Sequence, residues 1–292
     1  MKPGFAVSRP LVAGVLPLPA MLLGALVARA QGVSVKAFAT NLVAAVLGGA
    51  LAAWLAGRSW RHLVRGAPGL AAVVLALLAA TFLFLPLEGV HRWISLGPVR
   101  LNASVLTLPW ALLALWGLLH QARRGLALVF VIGVQLLHDA QPDAGQAFAF
   151  LAGVLMLWGG ARSLAWGWKV AGGGLAAMGA AGACARADPL EAVPHVERIV
   201  HLAADLGVPW LLAALAALGL LLLPLLQGAM RLHSAHRDAA WLAWALAAYF
   251  LGTLVVTEWG NYPVPVMGAG AGPVLGWYTA LGILLCAVRS PD

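Results

Sequence analysis

Charge is scarce in this sequence. Asp, Glu, Lys and Arg make up 10% of its 292 residues, where a soluble globular chain carries roughly 25%. Cysteine is nearly absent. Cys184 and Cys286 stand alone in apolar stretches, which excludes a disulfide framework and a cysteine metal cluster. No polar segment is long enough to fold as a second domain. What is abundant is apolar: 62% of the residues are hydrophobic and the mean hydropathy is +0.91. A soluble domain and a disordered chain are both excluded, and length-based domain counting loses its meaning because the solvent is a bilayer.

A membrane-crossing helix needs about 20 mostly apolar residues. Ten such runs are predicted, at 10–28, 38–57, 68–87, 103–119, 125–138, 144–161, 165–184, 208–227, 238–257 and 270–288. The expected fold class is all-α: one integral membrane domain over 1–292, a polytopic transmembrane helical bundle. Ten crossings put both termini on one face. With that face inside, Lys2, Arg9, Arg58, Arg61, Arg65, Arg123, Arg124, Arg162, Lys169, Arg231, Arg237 and Arg289 lie on it. Arg29, Lys36, Arg92, Arg100, Arg186 and Arg198 lie opposite. The bias predicts cytoplasmic N and C termini, because Lys and Arg gather on the inner side. The net charge of +8 is therefore read as orientation and not as nucleic-acid binding. Lys2 and Arg9 precede an apolar run ending in Ala28-Arg29-Ala30, the form of a cleavable signal. The run exceeds the usual core of about 7–15 residues, so an uncleaved first span is expected.

The acids divide more sharply than the bases. Glu88, Asp139, Asp143, Asp188, Glu191, Glu197, Asp205 and Glu258 fall outside, leaving Asp238 and Asp292 inside. Acids contribute little to topology, so their concentration suggests chemistry at the outer face. Trp60, Trp93, Trp110, Trp166, Trp210 and Trp259 near span ends read as an interfacial belt. His233 and His236 have the spacing of a metal pair without a third ligand, and read as a solvated inner loop.

Three outer segments are polar: 89–97, 141–145 and 188–207. In the third, Asp188-Pro189-Leu190-Glu191 has the pattern of a helix start, with an N-cap and proline at the first position. Pro194 restarts the chain. Val196, Ile199, Val200, Ala203 and Leu206 then recur at helical spacing. Glu197, His201 and Asp205, at i, i+4 and i+8, share another face. The expectation is one short amphipathic helix at the membrane surface. Its polar face is either merely solvated or an acid–base site, with His201 or Arg198 tuning a carboxylate that takes a proton from a sugar hydroxyl. A metal site of His195, Glu197 and His201 is the weaker alternative.

Together the three segments resemble, in order, the SEDS family of bacterial shape, elongation, division and sporulation proteins, the FtsW/RodA/SpoVE group. Gly89, Arg92, Trp93, Leu96 and Gly97 reproduce its Gly-x-x-Arg-Trp-x-x-Leu-Gly signature. Gln141, Pro142, Asp143 and Gly145 match its Gln-Pro-Asp-x-Gly. Pro194-His195-Val196-Glu197 through Asp205-Leu206-Gly207 is similar to the stretch in its large outer loop. The resemblance implies a ten-span protein of the bacterial plasma membrane, and a peptidoglycan glycosyltransferase that polymerises lipid II or a related lipid-linked sugar in cell division or cell-shape control. Glu197 takes the place of the acidic residue that the resemblance implies as the catalytic base. Arg92 is the expected cation for a pyrophosphate or a carboxylate. Trp93, His195, Arg198, His201, Asp205, Gln141 and Asp143 are the remaining substrate-site candidates. Asp143 and Glu197 are candidate ligands for a divalent cation (Mg2+ or Mn2+), and Asp143 is equally a helix cap. The implied partners are a class B penicillin-binding protein or another division or elongation protein.

The sequence also departs from that pattern. Glu197 stands where the family has Asp, and a displacement of about 1 Å can cost ~10²-fold in rate. The family's acid and lysine at the start of the fourth span are replaced within 102–108, the last outer loop is shortened to 263–272, and the chain is shorter than typical members. A degenerate SEDS-like scaffold is thus the alternative function. A lipid flippase or transporter is the third, weakened by span interiors almost free of the ionisable residues such proteins use.

Overall fold

A computed structural model describes residues 10–97, 99–162 and 164–290. Lys2, Arg9 and Asp292, counted above with the inner face, lie outside the described residues.

Each of the ten predicted apolar runs is helical. The first is α1 (Pro10–Val15) and α2 (Leu18–Ala30), where the first turn of α2 begins beside Pro17. Ala28, in the signal-like tripeptide, is buried in the last turn of α2. Next come α3 (Ala39–Ala56), a short α4 (Trp60–Arg65) and α5 (Ala67–Ala80). A single 3-10 turn, Thr81–Leu83, ends the third run well before residue 87. Then follow α6 (Ala103–His120), α7 (Arg124–Ala140), α8 (Ala144–Gly160) and α9 (Trp166–Ala185). The short α10 (Pro194–Glu197) and α11 (Ile199–Asp205) precede the long α12 (Val208–Ser234), α13 (Ala240–Val255) and α14 (Ala271–Arg289). Among the described residues, six helical stretches are long and apolar enough to cross a membrane by themselves. Others, such as α7 and α8 with 17 residues each, sit at the short end of the spanning range.

The centre of the bundle is α6 and α14, 78% and 83% buried, against 33% for the stretch containing α3 and for α12. α14 packs on α3 and α6, α13 on α8 and α12, and α9 on α7 and α8. The peripheral helices turn Leu42, Val46, Leu212 and Leu215 outward, as lipid-facing surfaces require. Small residues bring the helices close, as is common in membrane bundles. A Cβ on Gly172 would run into the Trp158 ring, and one on Gly179 into Gln135.

Two features correct the sequence reading. The polar segment after the third run contains a β-hairpin, β1 (Trp93–Leu96) antiparallel to β2 (Val99–Asn102), pairing Trp93 with Asn102 and Leu96 with Val99. It remains a minor addition to an all-helical bundle. The outer amphipathic helix is two short helices, broken at Arg198 (φ −112). Residues 188–193 carry no helix, so Asp188 starts none. Its Oδ1 accepts the Leu190 N–H (3.2 Å) in a local turn, the competing use of an Asp side chain.

Candidate functional site

The three polar segments converge on Arg92. A tight turn places it: Glu88 (φ 49) and Gly89 (φ 84) occupy the left-handed region that the commonest two-residue hairpin turns demand. Leu87 and Val90 close the turn with paired backbone hydrogen bonds of 3.1 and 2.8 Å. Gly97 (φ 60) serves the end of β1 in the same way. These are the conformations for which the two signature glycines are suited. Arg92 then enters one end of the bundle, 3% exposed, while its carbonyl accepts the Ala103 N–H (3.0 Å).

Two hydrogen-bond acceptors and a nearby carboxylate hold the guanidinium. Nη2 donates to Asp188 Oδ2 at 2.7 Å and to the Pro142 carbonyl, and Nε lies 3.9 Å from Asp143 Oδ2. The Tyr262 ring centroid is 5.8 Å from its Cζ. Burial pushes the Tyr262 phenol up to about 12, helped by Asp143. Asp143 also caps α8, its Oδ1 accepting the Gln146 N–H (3.3 Å). Gln141 is fully buried and ties the segment to the end of α5, donating to the Leu78 carbonyl and Thr81 Oγ1 at 2.8 Å each. Gln146 Oε1 accepts the Tyr249 hydroxyl at 2.9 Å.

Glu197 ends α10 close enough to feel Arg92. Its carboxylate is half-buried and Oε2 accepts the Val193 N–H at 2.6 Å. Burial raises the carboxyl pKa from 4.5 to about 7, against the opposing pull of backbone N–H groups, Arg92 and Arg198. A desolvated carboxyl prefers its proton. The shortened last loop fixes this helix. The Val264 N–H donates to the Val196 carbonyl (3.0 Å) and the Ala269 N–H to the His195 carbonyl (3.1 Å). Arg198 Nη2 donates to Asn261 Oδ1 (3.2 Å), and Asn261 Nδ2 to the Leu190 carbonyl (2.9 Å). From below, the buried Asn41 side chain of α3 donates to the carbonyls of Val266 (3.3 Å) and Gly268 (2.9 Å) and accepts the Gly270 N–H (2.7 Å).

The structure thus brings together Arg92, Gln141, Asp143, Glu197 and Arg198 of the expected set, with Trp93 in β1 and the backbone of His195 at the edge. The break at Arg198 separates Glu197 from the other two polar residues predicted on its face. His201 Nε2 instead faces Glu258 at 3.5 Å, both side chains well exposed, and Asp205 is exposed. Arg92 and Arg198, not His201, are the charges acting on Glu197. Asp188, Asn261 and Tyr262 were missed. Asp188 carried the signal of an acid in a chain poor in acids, obscured by its cap-like neighbours.

Among the described residues, no group of three or more His, Cys, Asp or Glu side chains could hold a metal ion. Asp143 is engaged as a cap and faces Arg92, and Glu197 is bonded to Val193.

The fold and site define a class: a polytopic helical membrane protein with an ion-paired, carboxylate-bearing cluster at one end of the bundle. Its architecture is that of the rod-shape-determining protein RodA of Thermus thermophilus, which it matches at 22% identity over 94% of both chains with a TM-score of 0.71. A mutant form of that protein matches equally, over 94% of this chain and 95% of its own. A chain from the structure of a peptidoglycan synthase complex, described as coordinating polymerization and crosslinking, matches at 22% identity and a TM-score of 0.64, over 94% of this chain and 96% of its own. No protein-family model matches the chain, and no curated protein matches it significantly.

Proposed function

We propose that this protein is a membrane-embedded glycosyltransferase of the bacterial plasma membrane that extends glycan strands from a lipid-linked sugar at the outer face. The observation carrying the proposal is Glu197: a half-buried carboxyl with a pKa of about 7, in a RodA-like fold. A general base works best with a pKa near the operating pH. Ionised Glu197 takes the proton of an acceptor-sugar hydroxyl as its oxygen bonds to the anomeric carbon, and the bond to the lipid pyrophosphate breaks. Arg92 and Arg198 supply the fixed positive field in which anionic substrate groups settle. Arg92, already bridging Asp188 and Asp143, acts chiefly by holding the outer loop over the bundle. A crosslinking transpeptidase is the partner this reading implies, by likeness to the synthase complex.

The test is incubation of purified protein with labelled lipid II, alone and with a transpeptidase. Polymer that disappears in Glu197→Gln supports catalysis. No polymer under any partner condition, with partner capture intact, overturns it.

A second reading, a non-catalytic scaffold, is favoured by one observation. The start of α6 spends its polar groups on itself, Asn102 Oδ1 capping Val105 (3.1 Å) and Thr107 Oγ1 donating to the Ala103 carbonyl (2.7 Å), where the resembled family carries an acid and a lysine. The same experiment separates the two.

A further inference from the structure

α6 and α8 run from the Arg92 site to the other end of the bundle, about 26 Å away at 1.5 Å per residue. There, two adjoining cavities of about 420 and 400 Å³ open between the inner helix ends, sharing Trp116, His120, His236, Arg237 and Asp238. Each lies within the range of about 300–1,000 Å³ typical of small-molecule sites. The geometry points to a binding site for a phosphate ester, carried by the headgroup of an anionic membrane lipid or by a soluble molecule.

The chemistry of the walls carries this. Arg61, Arg162 and Arg237 contribute guanidiniums from three separate segments, and His120, His233 and His236 contribute imidazoles. Among the described residues of the lining, Asp238 is the one acid. Orientation in the membrane requires basic residues on the inner side, but it does not require them around one concavity. Guanidinium forks match phosphate oxygens bidentately, and basic pockets between helices on this side are where lipid headgroups bind. Aromatic rings form the apolar floor. Trp116 is 7% exposed, stacks on His120 at 5.0 Å, touches Trp60 at 5.2 Å, and donates its indole N–H to the Asp238 carbonyl (3.3 Å). Gly160 makes room for Trp241, whose ring a Cβ there would meet.

A strained residue completes the rim. α12 ends with the Arg237 N–H bonded to the Leu232 carbonyl and the His236 N–H to the His233 carbonyl, both 3.0 Å. His236 (φ 55) occupies the left-handed position where this ending usually has glycine. Accepting that cost for an imidazole on the rim fits the pattern of strain stored at functional sites.

The experiment is native mass spectrometry of the intact protein with phosphatidylglycerol, phosphatidylcholine or glycerol 3-phosphate as separate probes. Arg61→Gln/Arg162→Gln is compared with Arg123→Gln/Arg231→Gln, an equal charge change on exposed residues outside the cavity lining. Losing charge-assisted hydrogen bonds predicts about tenfold weaker binding in the cavity variant, with the control unchanged. Retention of phosphatidylglycerol alone assigns the phosphate to a lipid, and saturable glycerol 3-phosphate binding assigns it to a soluble ester. Binding of neither anionic probe above phosphatidylcholine, or equal losses in both variants, overturns the site. Matching melting temperatures exclude misfolding.

Discussion

Arg92 and Asp188 meet at 2.7 Å across 96 residues of chain. This contact clasps the long outer loop onto the turn that follows the third apolar run. Because Arg92 also faces Asp143 with both side chains almost fully buried, its two partners are unequal. Asp188 is 21% exposed and Asp143 2%.

Arg92→Met is expected to destabilise by about 3–5 kcal/mol, because it strands the buried Asp143 carboxylate. Asp188→Asn leaves Arg92 with its other acceptors and costs less, about 1–3 kcal/mol. Melting in detergent micelles checks the order. Equal shifts would show that Asp143 does not depend on Arg92.

Polymerisation is expected to rise with pH through about 7 as Glu197 ionises, and Glu197→Gln to fall at least ~10²-fold and lose that dependence. Stability moves the other way. A carboxyl whose folded pKa lies above its unfolded value stabilises fully below about 4.5, and that contribution is lost as pH rises through about 7. Glu197→Gln therefore melts higher than the parent at pH 8 and equally at pH 4. Melting curves at the two pH values are the readout.

Asn41→Leu removes three hydrogen bonds between α3 and the last outer loop. A loss of about 1–3 kcal/mol or more is expected, from backbone groups left unpaired. Faster proteolysis within 263–270 locates the effect, and an unchanged cleavage pattern would argue against it.

A Cβ at Gly268 would meet the Val196 backbone. Gly268→Ala should push the last loop away from the helix that ends in Glu197, lowering polymerisation more than melting temperature. Parallel losses would mark the contact as structural only.

Arg186 and Asp139 form a two-pronged pair at 3.1 and 2.8 Å with Arg186 exposed. Exposed pairs contribute little, so Arg186→Gln is expected to leave melting and activity unchanged. A large loss would assign that corner a function.

The helices were legible because apolar runs bounded by charge report burial in lipid, which each segment settles locally. Gln141, Asp143 and Arg92 stood out as polar residues in a chain that avoids them. The β-hairpin was not legible, since Trp93 pairs with Asn102 across a turn whose geometry the alternation of side chains does not reveal. Nor was the break at Arg198: helical spacing continues through it, and only the carbonyls of His195 and Val196, taken by the last loop, mark the interruption.

The sequence alone determined the apolar helical bundle and the expectation that most acids and most bases sit at opposite ends, because hydrophobicity and charge act residue by residue. Tertiary structure decided that Asp188 serves Arg92 and caps nothing, that His201 leaves Glu197 and faces Glu258, and that arginines and histidines scattered along the chain line two adjoining cavities. Those outcomes depend on which distant groups share a buried space. Coulomb and desolvation energies are set by distance and burial, and neither is written along the chain.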